Sequence, residues 1–295
     1  MALIPFDDRD GLIWLNGEMV EWRDAKTHTL SHGLHYASLV FEGERAYGGT
    51  IFAGADHTDR LRASSQMLDF DIPYSNEEVD AAKMAVLAAN NINDGYLRAF
   101  CWRGSEMMAI SAQQTKTHVA IAAWEWPSYF DPETKMRGIM LDIAKWKRPS
   151  PESAPVHAKA AGLYMICTLS KHEAEKKGFQ DALMLDYRGY IAEATGANVF
   201  FIDEEGTLHT PIPDCFLNGI TRQTVIRLAE SLQMKVVERH LQPEDMASMK
   251  ECFLTGTAAE VTPVAKIGDY SFTPSDACRQ LVTAYDDLVN GRISL

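Results

Sequence analysis

With 295 residues, 46% of them hydrophobic and 23% charged, the chain has globular proportions, which exclude a disordered or fibrous protein and suffice for one large domain or two moderate ones. Its 28 basic and 41 acidic residues leave a net charge of −13, which repels nucleic-acid backbones and anionic lipid and argues against both as partners.

In chain order, Ile13–Val20 reads as a hairpin turning at Asn16-Gly17, a dipeptide that tolerates positive φ. A second hairpin is expected where Leu39–Tyr47 and Thr50–Ala53 flank Gly48-Gly49. His57–Leu68 places Leu61, Met67 and Leu68 at helical spacing, and Glu77–Asn90 reads as another amphipathic helix. Tyr96–Trp102 and His118–Trp124 are β-rich. Glu125–Met136 has two prolines and little regular period, so it reads as a connection between domains 1–124 and 137–295. Beyond it come a strand over Gly138–Trp146, a proline-rich turn and a helix over Leu163–Lys177. Ala182–Asp186 should pair with Tyr190–Ala192, Asn198–Ile202 should form another strand, and Ile220–Gln233 and Asp276–Val289 should be helices. The expected class is α+β, with mainly antiparallel hairpins in the first domain.

The cysteines, Cys101, Cys167, Cys215, Cys252 and Cys278, are odd in number and scattered, with no C-x-x-C and no histidine cluster. Neither a metal site nor a disulfide framework is expected, and a reducing cytoplasm fits best. Asp7, Asp8, Arg9 and Asp10 stand where a secretory leader would need apolar residues. No apolar run approaches the roughly 18 residues of a membrane helix.

Four segments carry chemistry. In Val156–Gly162 one lysine, Lys159, stands among small residues before an apolar helix start. Desolvation there favours the neutral amine that a Schiff-base nucleophile needs; the alternative is a lysine snorkelling from a helix end. Leu217–Arg222 leads through Gly219 into a helix, so backbone N–H groups and the Thr221 hydroxyl form either a phosphate cradle or an ordinary cap. Leu254–Glu260 is a strand running into a small-residue turn at Thr257-Ala258. Glu193 ends an apolar strand before Gly196, placed either to pair with a protonated ring nitrogen or to form a structural salt bridge. A lysine, an acid and anion cradles together suit an aldehyde on a phosphorylated pyridine.

The segments SHGLHYASLVFEG, TDRLRAS, GYLR, AAWEWPSY, HAKAAG, AEATGANVF, NGITR and FLTGTAAEVTPV, from about Ile13 to Val264, closely resemble the class IV (fold type IV) pyridoxal-phosphate aminotransferases, and within them the branched-chain amino acid aminotransferases. The resemblance implies a two-domain fold like that of D-amino acid aminotransferase, with pyridoxal 5′-phosphate between the domains, and a homodimer or higher homo-oligomer. It implies that Lys159 binds the aldehyde and shuttles the proton, that Glu193 keeps the ring nitrogen protonated, and that Tyr164 bonds the ring's O3′. Arg60, Ile220, Thr221 and Thr257 would hold the phosphate. Tyr36, Phe41, Tyr96, Arg98, Trp126 and Tyr129, with the N–H of Ala258, would line the substrate pocket. The activity implied is amino transfer from leucine, isoleucine or valine to 2-oxoglutarate, ping-pong through pyridoxamine phosphate.

The chain departs from the family after Arg98, where Ala99 replaces a usual proline and the loop reads Trp102–Met108 with Arg103, Glu106 and paired methionines. Added charge and bulk in that loop would alter the substrate range, which keeps an (R)-amine or D-amino acid transaminase as the alternative. Aminodeoxychorismate lyase, which would need a site for a larger aromatic substrate, fits less well, as does a non-catalytic cofactor-binding relative, which would have no chemical need to retain the lysine, the acid and both cradles together.

Overall fold

A computed structural model of the chain describes residues 4–126 and 135–295. They group into two units, residues 4–126 with Ala158–Gly162, and residues 135–157 with 163–295. Five residues that chain order puts after the connection, including Lys159, thus group with the first unit.

The first unit is built on an antiparallel sheet. Leu12–Leu15 (β1) and Glu18–Glu21 (β2) form the expected hairpin, with Asn16 at φ 51 and Gly17 at φ 100. The run Leu39–Tyr47 is broken at Glu42-Gly43 into Leu39–Phe41 (β3) and Glu44–Tyr47 (β4); β4 pairs with Thr50–Ile51 (β5). Gly95–Arg103 (β6) and Thr117–Glu125 (β7) pair along their full length, giving the order β2-β1-β7-β6-β4-β5 with β3 also on β6. Alternation buries Leu97, Ala99, Cys101, Val119, Ile121 and Ala123 in the core, and turns Tyr96, Arg98, Phe100, Ala120, Ala122 and Trp124 to the opposite face.

Besides the short helix His32–Tyr36 (α1), Gly54–Met67 (α2) and Asn76–Ala89 (α3) belong to this unit. A capping box starts α3: the Ser75 hydroxyl accepts from Glu78 N, and the Glu78 carboxylate accepts from Ser75 N. Helix α2 departs from the expected pattern. Met67 is exposed, and the buried positions are His57, Thr58, Leu61, Ser64 and Ser65. Lys83 on α3, fully buried, donates to Glu44 Oε2 at 2.9 Å and Thr58 Oγ1 at 2.6 Å, tying both helices to β4. Burial pushes the Glu44 carboxyl above its usual range, and Lys83 only partly offsets this.

The second unit contains Ile139–Ile143 (β8), Asp181–Leu185 (β9), Ile191–Ala194 (β10), Asn198–Asp203 (β11), Leu208–Thr210 (β12), Val236–Glu238 (β13), Met249–Gly256 (β14), Glu260–Ile267 (β15) and Tyr270–Ser271 (β16). The order is β10-β9-β8-β15-β14-β11-β12-β13, and a further β10–β11 pairing closes the first six strands into a ring. Each of these six contributes to one core, through Leu141, Leu183, Ile191, Val199, Leu254 and Val264 among others. Among the described residues three pairings are parallel, β8–β9, β8–β15 and β12–β13. The first is a βαβ crossover, whose helix Met165–Lys176 (α4) follows a 3-10 turn at Ala161–Tyr164. Ile220–Ser231 (α5) and Asp276–Val289 (α6) complete the unit.

All five cysteines are free and buried. Burial pushes Cys167 up to about 11 and Cys278 up to about 12, which keeps both as unreactive thiols at neutral pH.

Candidate active site

In the first unit the backbone of Lys159 is fixed on both sides. Its carbonyl accepts from Phe41 N at 3.1 Å, its N–H donates to Ser64 Oγ at 3.0 Å, and Ala160 bridges to Val40. Lys159 Nζ lies 5.0 Å from the centroid of the Phe41 ring. Arg98 shares that ring, with Cζ 4.6 Å from the centroid, and its Nη2 donates to Tyr96 Oη at 3.2 Å. Arg98 Nε is buried without a hydrogen-bond partner among the described residues. A buried donor left unpaired is costly, and an arriving carboxylate would remove that cost. Tyr96 packs between Trp124 and Trp126, at centroid distances of 5.0 and 5.5 Å.

The tripeptide Phe41-Glu42-Gly43 organises this group. Phe41 meets Lys159 and Arg98. Glu42, fully buried, takes Arg60 Nε and Nη2 at 2.7 Å each, and His57 Nδ1 at 2.7 Å. Burial alone would raise the Glu42 carboxyl, but Arg60 and His57 more than reverse that and hold it well below the usual carboxylate range. Gly43 gives room to Tyr96: a Cβ there would lie 1.9 Å from the phenol oxygen.

In the second unit Asn198 is the hub. Its Nδ2 donates to Glu193 Oε2 at 3.3 Å and to Leu217 O at 3.0 Å, while its Oδ1 accepts from Gly219 N at 3.1 Å. Gly219 is required for this approach, since a Cβ would lie 2.3 Å from Asn198 Oδ1. Gly219 is also the N-cap of α5, with no side chain capping the helix. The first N–H groups of α5, at Ile220 and Thr221, therefore sit at a positive helix end that no side chain among the described residues caps. Asn218 serves elsewhere, accepting from Arg222 Nη1 at 3.0 Å.

Across the ladder Asn198 pairs with Thr255, two residues before Thr257 in the β14–β15 turn. That turn adjoins the one after Glu193, because a Cβ on Gly256 would lie 3.4 Å from Gly196 O. Thr257 is half-buried and Ala258 exposed. Glu193 itself is buried, with Arg148 Nε 3.3 Å from its Oε1. Arg148 Nη1 also donates to Leu163 O at 3.3 Å, which links Glu193 to the segment carrying Tyr164.

Phe41, Arg60, Tyr96, Arg98, Trp126 and Lys159 thus fall in one unit, and Tyr164, Glu193, Ile220, Thr221, Thr257 and Ala258 in the other. Tyr36 stands on the surface of α1, stacked on His32 and 43% exposed. Tyr129 lies outside the described residues.

The charged loop residues behave differently from the sequence reading. Arg103 is buried: it donates to Ala112 O at 2.8 Å and to the Asp69 carbonyl, and so staples the loop to the end of α2. Glu106 accepts from Lys116 N at 3.0 Å. Both side chains are engaged in holding the loop together, and Met108 and Ile110 are its exposed apolar residues.

Sequence reasoning missed Glu42, His57, Gly43 and Ser64 in the first unit, and Arg148 and Asn198 in the second. Glu42, Gly43 and Asn198 lie within the matching segments SHGLHYASLVFEG and AEATGANVF. Arg148, between Lys147 and Pro149, carries no such signal.

Comparison with known proteins identifies the family. The family model described as amino-transferase class IV matches residues 39–267. A Pseudomonas aeruginosa protein named branched-chain-amino-acid aminotransferase is 42% identical over 294 residues, covering 97% of this chain and 95% of its own. The structure of the T.th. branched-chain amino acid aminotransferase with pyridoxamine 5′-phosphate superimposes with a TM-score of 0.94 at 35% identity, covering 97% of this chain and 96% of that one. The same protein complexed with N-(5′-phosphopyridoxyl)-L-glutamate gives a TM-score of 0.92 at 35% identity, with the same coverage of 97% and 96%.

Proposed function

The chain belongs to the class IV aminotransferases, and from that premise we propose that it transfers the amino group of L-leucine, L-isoleucine and L-valine to 2-oxoglutarate, with pyridoxal 5′-phosphate as cofactor. One observation carries the reading: the family match over residues 39–267 embraces every assigned residue except Tyr36. The reaction runs as two half-reactions, one product leaving before the second substrate enters. The substrates are small amino acids and 2-oxo acids, and the proposed assembly is a homodimer, to which the exposed apolar residues Leu30, Leu34, Met108 and Ile110 offer a surface. A cytoplasmic location is proposed from the free cysteines; no helix among the described residues is long and apolar enough to cross a membrane.

The residues fit the cofactor. The uncapped start of α5 at Ile220 and Thr221, with Thr257 and Arg60, would hold its phosphate. Glu193 would hold the ring nitrogen and Tyr164 the ring hydroxyl. When bound, the cofactor supplies an aldehyde that takes up the amino group and a cationic ring that accepts electrons. Lys159 Nζ takes the proton from substrate Cα, and the Phe41 ring, 5.0 Å from that nitrogen, packs beside it. Arg98, whose buried Nε has no partner among the described residues, receives a substrate carboxylate.

The reading is tested by stopped-flow half-reactions with L-leucine, D-alanine and (R)-1-phenylethylamine, followed by the visible absorbance of the bound cofactor. L-leucine is expected to bleach it rapidly and the other two to leave it nearly unchanged; a faster reaction with D-alanine or the amine would overturn the assignment. Gly43→Ala supplies a check on the pocket. The added methyl displaces the Tyr96 phenol and with it the partner of Arg98. KM for both substrates should rise about tenfold, with kcat and thermal stability changed much less.

A further inference from the structure

We propose that Glu42, braced by His57, is a positioning residue that fixes the guanidinium of Arg60 for the phosphate group of the cofactor. The inference rests on the function proposed above and concerns a residue to which the family resemblance assigns no role.

Glu42 lies in the break between β3 and β4, where its N–H donates to Ala99 O at 2.7 Å. Its carboxylate is sealed in the interior, while the Arg60 side chain it holds remains 16% exposed. The anion is therefore at the back and the cation at the front. A bidentate contact at 2.7 Å on both Nε and Nη2 fixes the guanidinium plane and leaves the Nη1 edge pointing away from the carboxylate. His57, one helical turn before Arg60 on α2, donates to Oε2 at 2.7 Å and prevents the carboxylate from rotating. A buried ion pair seldom stabilises a protein more than apolar packing would, so stability alone gives little reason for it. What the pair provides is orientation: an unrestrained arginine loses rotamer entropy each time it engages an anion, and here that ordering precedes binding.

The test uses the full-length apoprotein titrated with pyridoxal 5′-phosphate and, separately, with pyridoxal, which lacks the phosphate, reading intrinsic fluorescence. Glu42→Gln should weaken pyridoxal 5′-phosphate by about tenfold and leave pyridoxal within about twofold. On an Arg60→Ala background the same substitution should change neither affinity further, because Glu42 acts through Arg60. His57→Asn should show a smaller loss confined to the phosphorylated ligand, and it decides the matter if Glu42→Gln does not fold. Equal weakening of both ligands, or a loss that persists on the Arg60→Ala background, would overturn the proposal. If the unaltered protein bound pyridoxal as tightly as its phosphate, the cofactor assignment would fail instead.

Discussion

Lys159→Ala is expected to reduce amino transfer by more than about 10⁴-fold while leaving the protein folded. The second half of that expectation comes from geometry. Three anchors that fix position 159 are backbone groups: the carbonyl receives Phe41 N, the N–H reaches Ser64, and the neighbouring Ala160 bridges to Val40. Alanine preserves all three, so the melting temperature should move by no more than about 2 °C and the loss is attributable to the amine. Lys159→Arg separates two roles of that amine. It restores a positive charge but not a group that can become neutral, and it should be as inactive as alanine. A small exogenous amine should restore part of the alanine variant's turnover, since proton transfer needs only a base of suitable reach. Steady-state assays with L-leucine and 2-oxoglutarate check each point, and near-normal turnover by the alanine variant would remove Lys159 from the chemistry.

Lys159, Glu193 and the turn before Ile220 are legible in the sequence because their chemistry is local, whereas Arg60 and Tyr164 come only from the family resemblance. A lysine among small residues, a glycine before a helix and an acid at a strand end each carry a signal within a few positions. The residues that hold them in place were not legible, for two reasons. Glu42 and Arg60, like Arg148 and Glu193, meet across 18 and 45 positions of chain, so no periodicity links them. Helix α2 shows the second reason. Its buried face carries His57, Thr58, Ser64 and Ser65 with one leucine, so an apolar count finds Leu61 but wrongly adds Met67 and overlooks the rest; the polar residues are buried because they serve Glu42, Lys83 and the backbone of Lys159. Local signals also set the fold's hairpins and the capping box of α3. The ring of six strands in the second unit closes through one pairing of Glu193 with Asn198 and a parallel crossover, and both depend on contacts that propensity does not report.

Glu193→Gln is expected to lower kcat by about 10²-fold or more at saturating cofactor, and to destabilise the fold by about 3 kcal/mol. The two losses have different origins and can be separated. Arg148 is buried, and with Glu193 neutral its remaining protein contacts include Leu163 O and Cys167 Sγ; a cation stranded in this way accounts for the loss of stability. Glutamine also brings N–H donors toward Asn198 Nδ2 and Arg148 Nε, which are donors themselves. Removing the stranded charge as well, in Glu193→Gln with Arg148→Met, should recover most of the stability, because replacing both members of a buried pair is far cheaper than removing one. It should not recover kcat, since the anion that would hold the ring nitrogen protonated is still missing. Denaturant unfolding and saturating-substrate kinetics on the four proteins of this cycle read the two effects independently. If the double variant regained turnover along with stability, Glu193 would be a structural partner of Arg148 and another group would have to meet the ring.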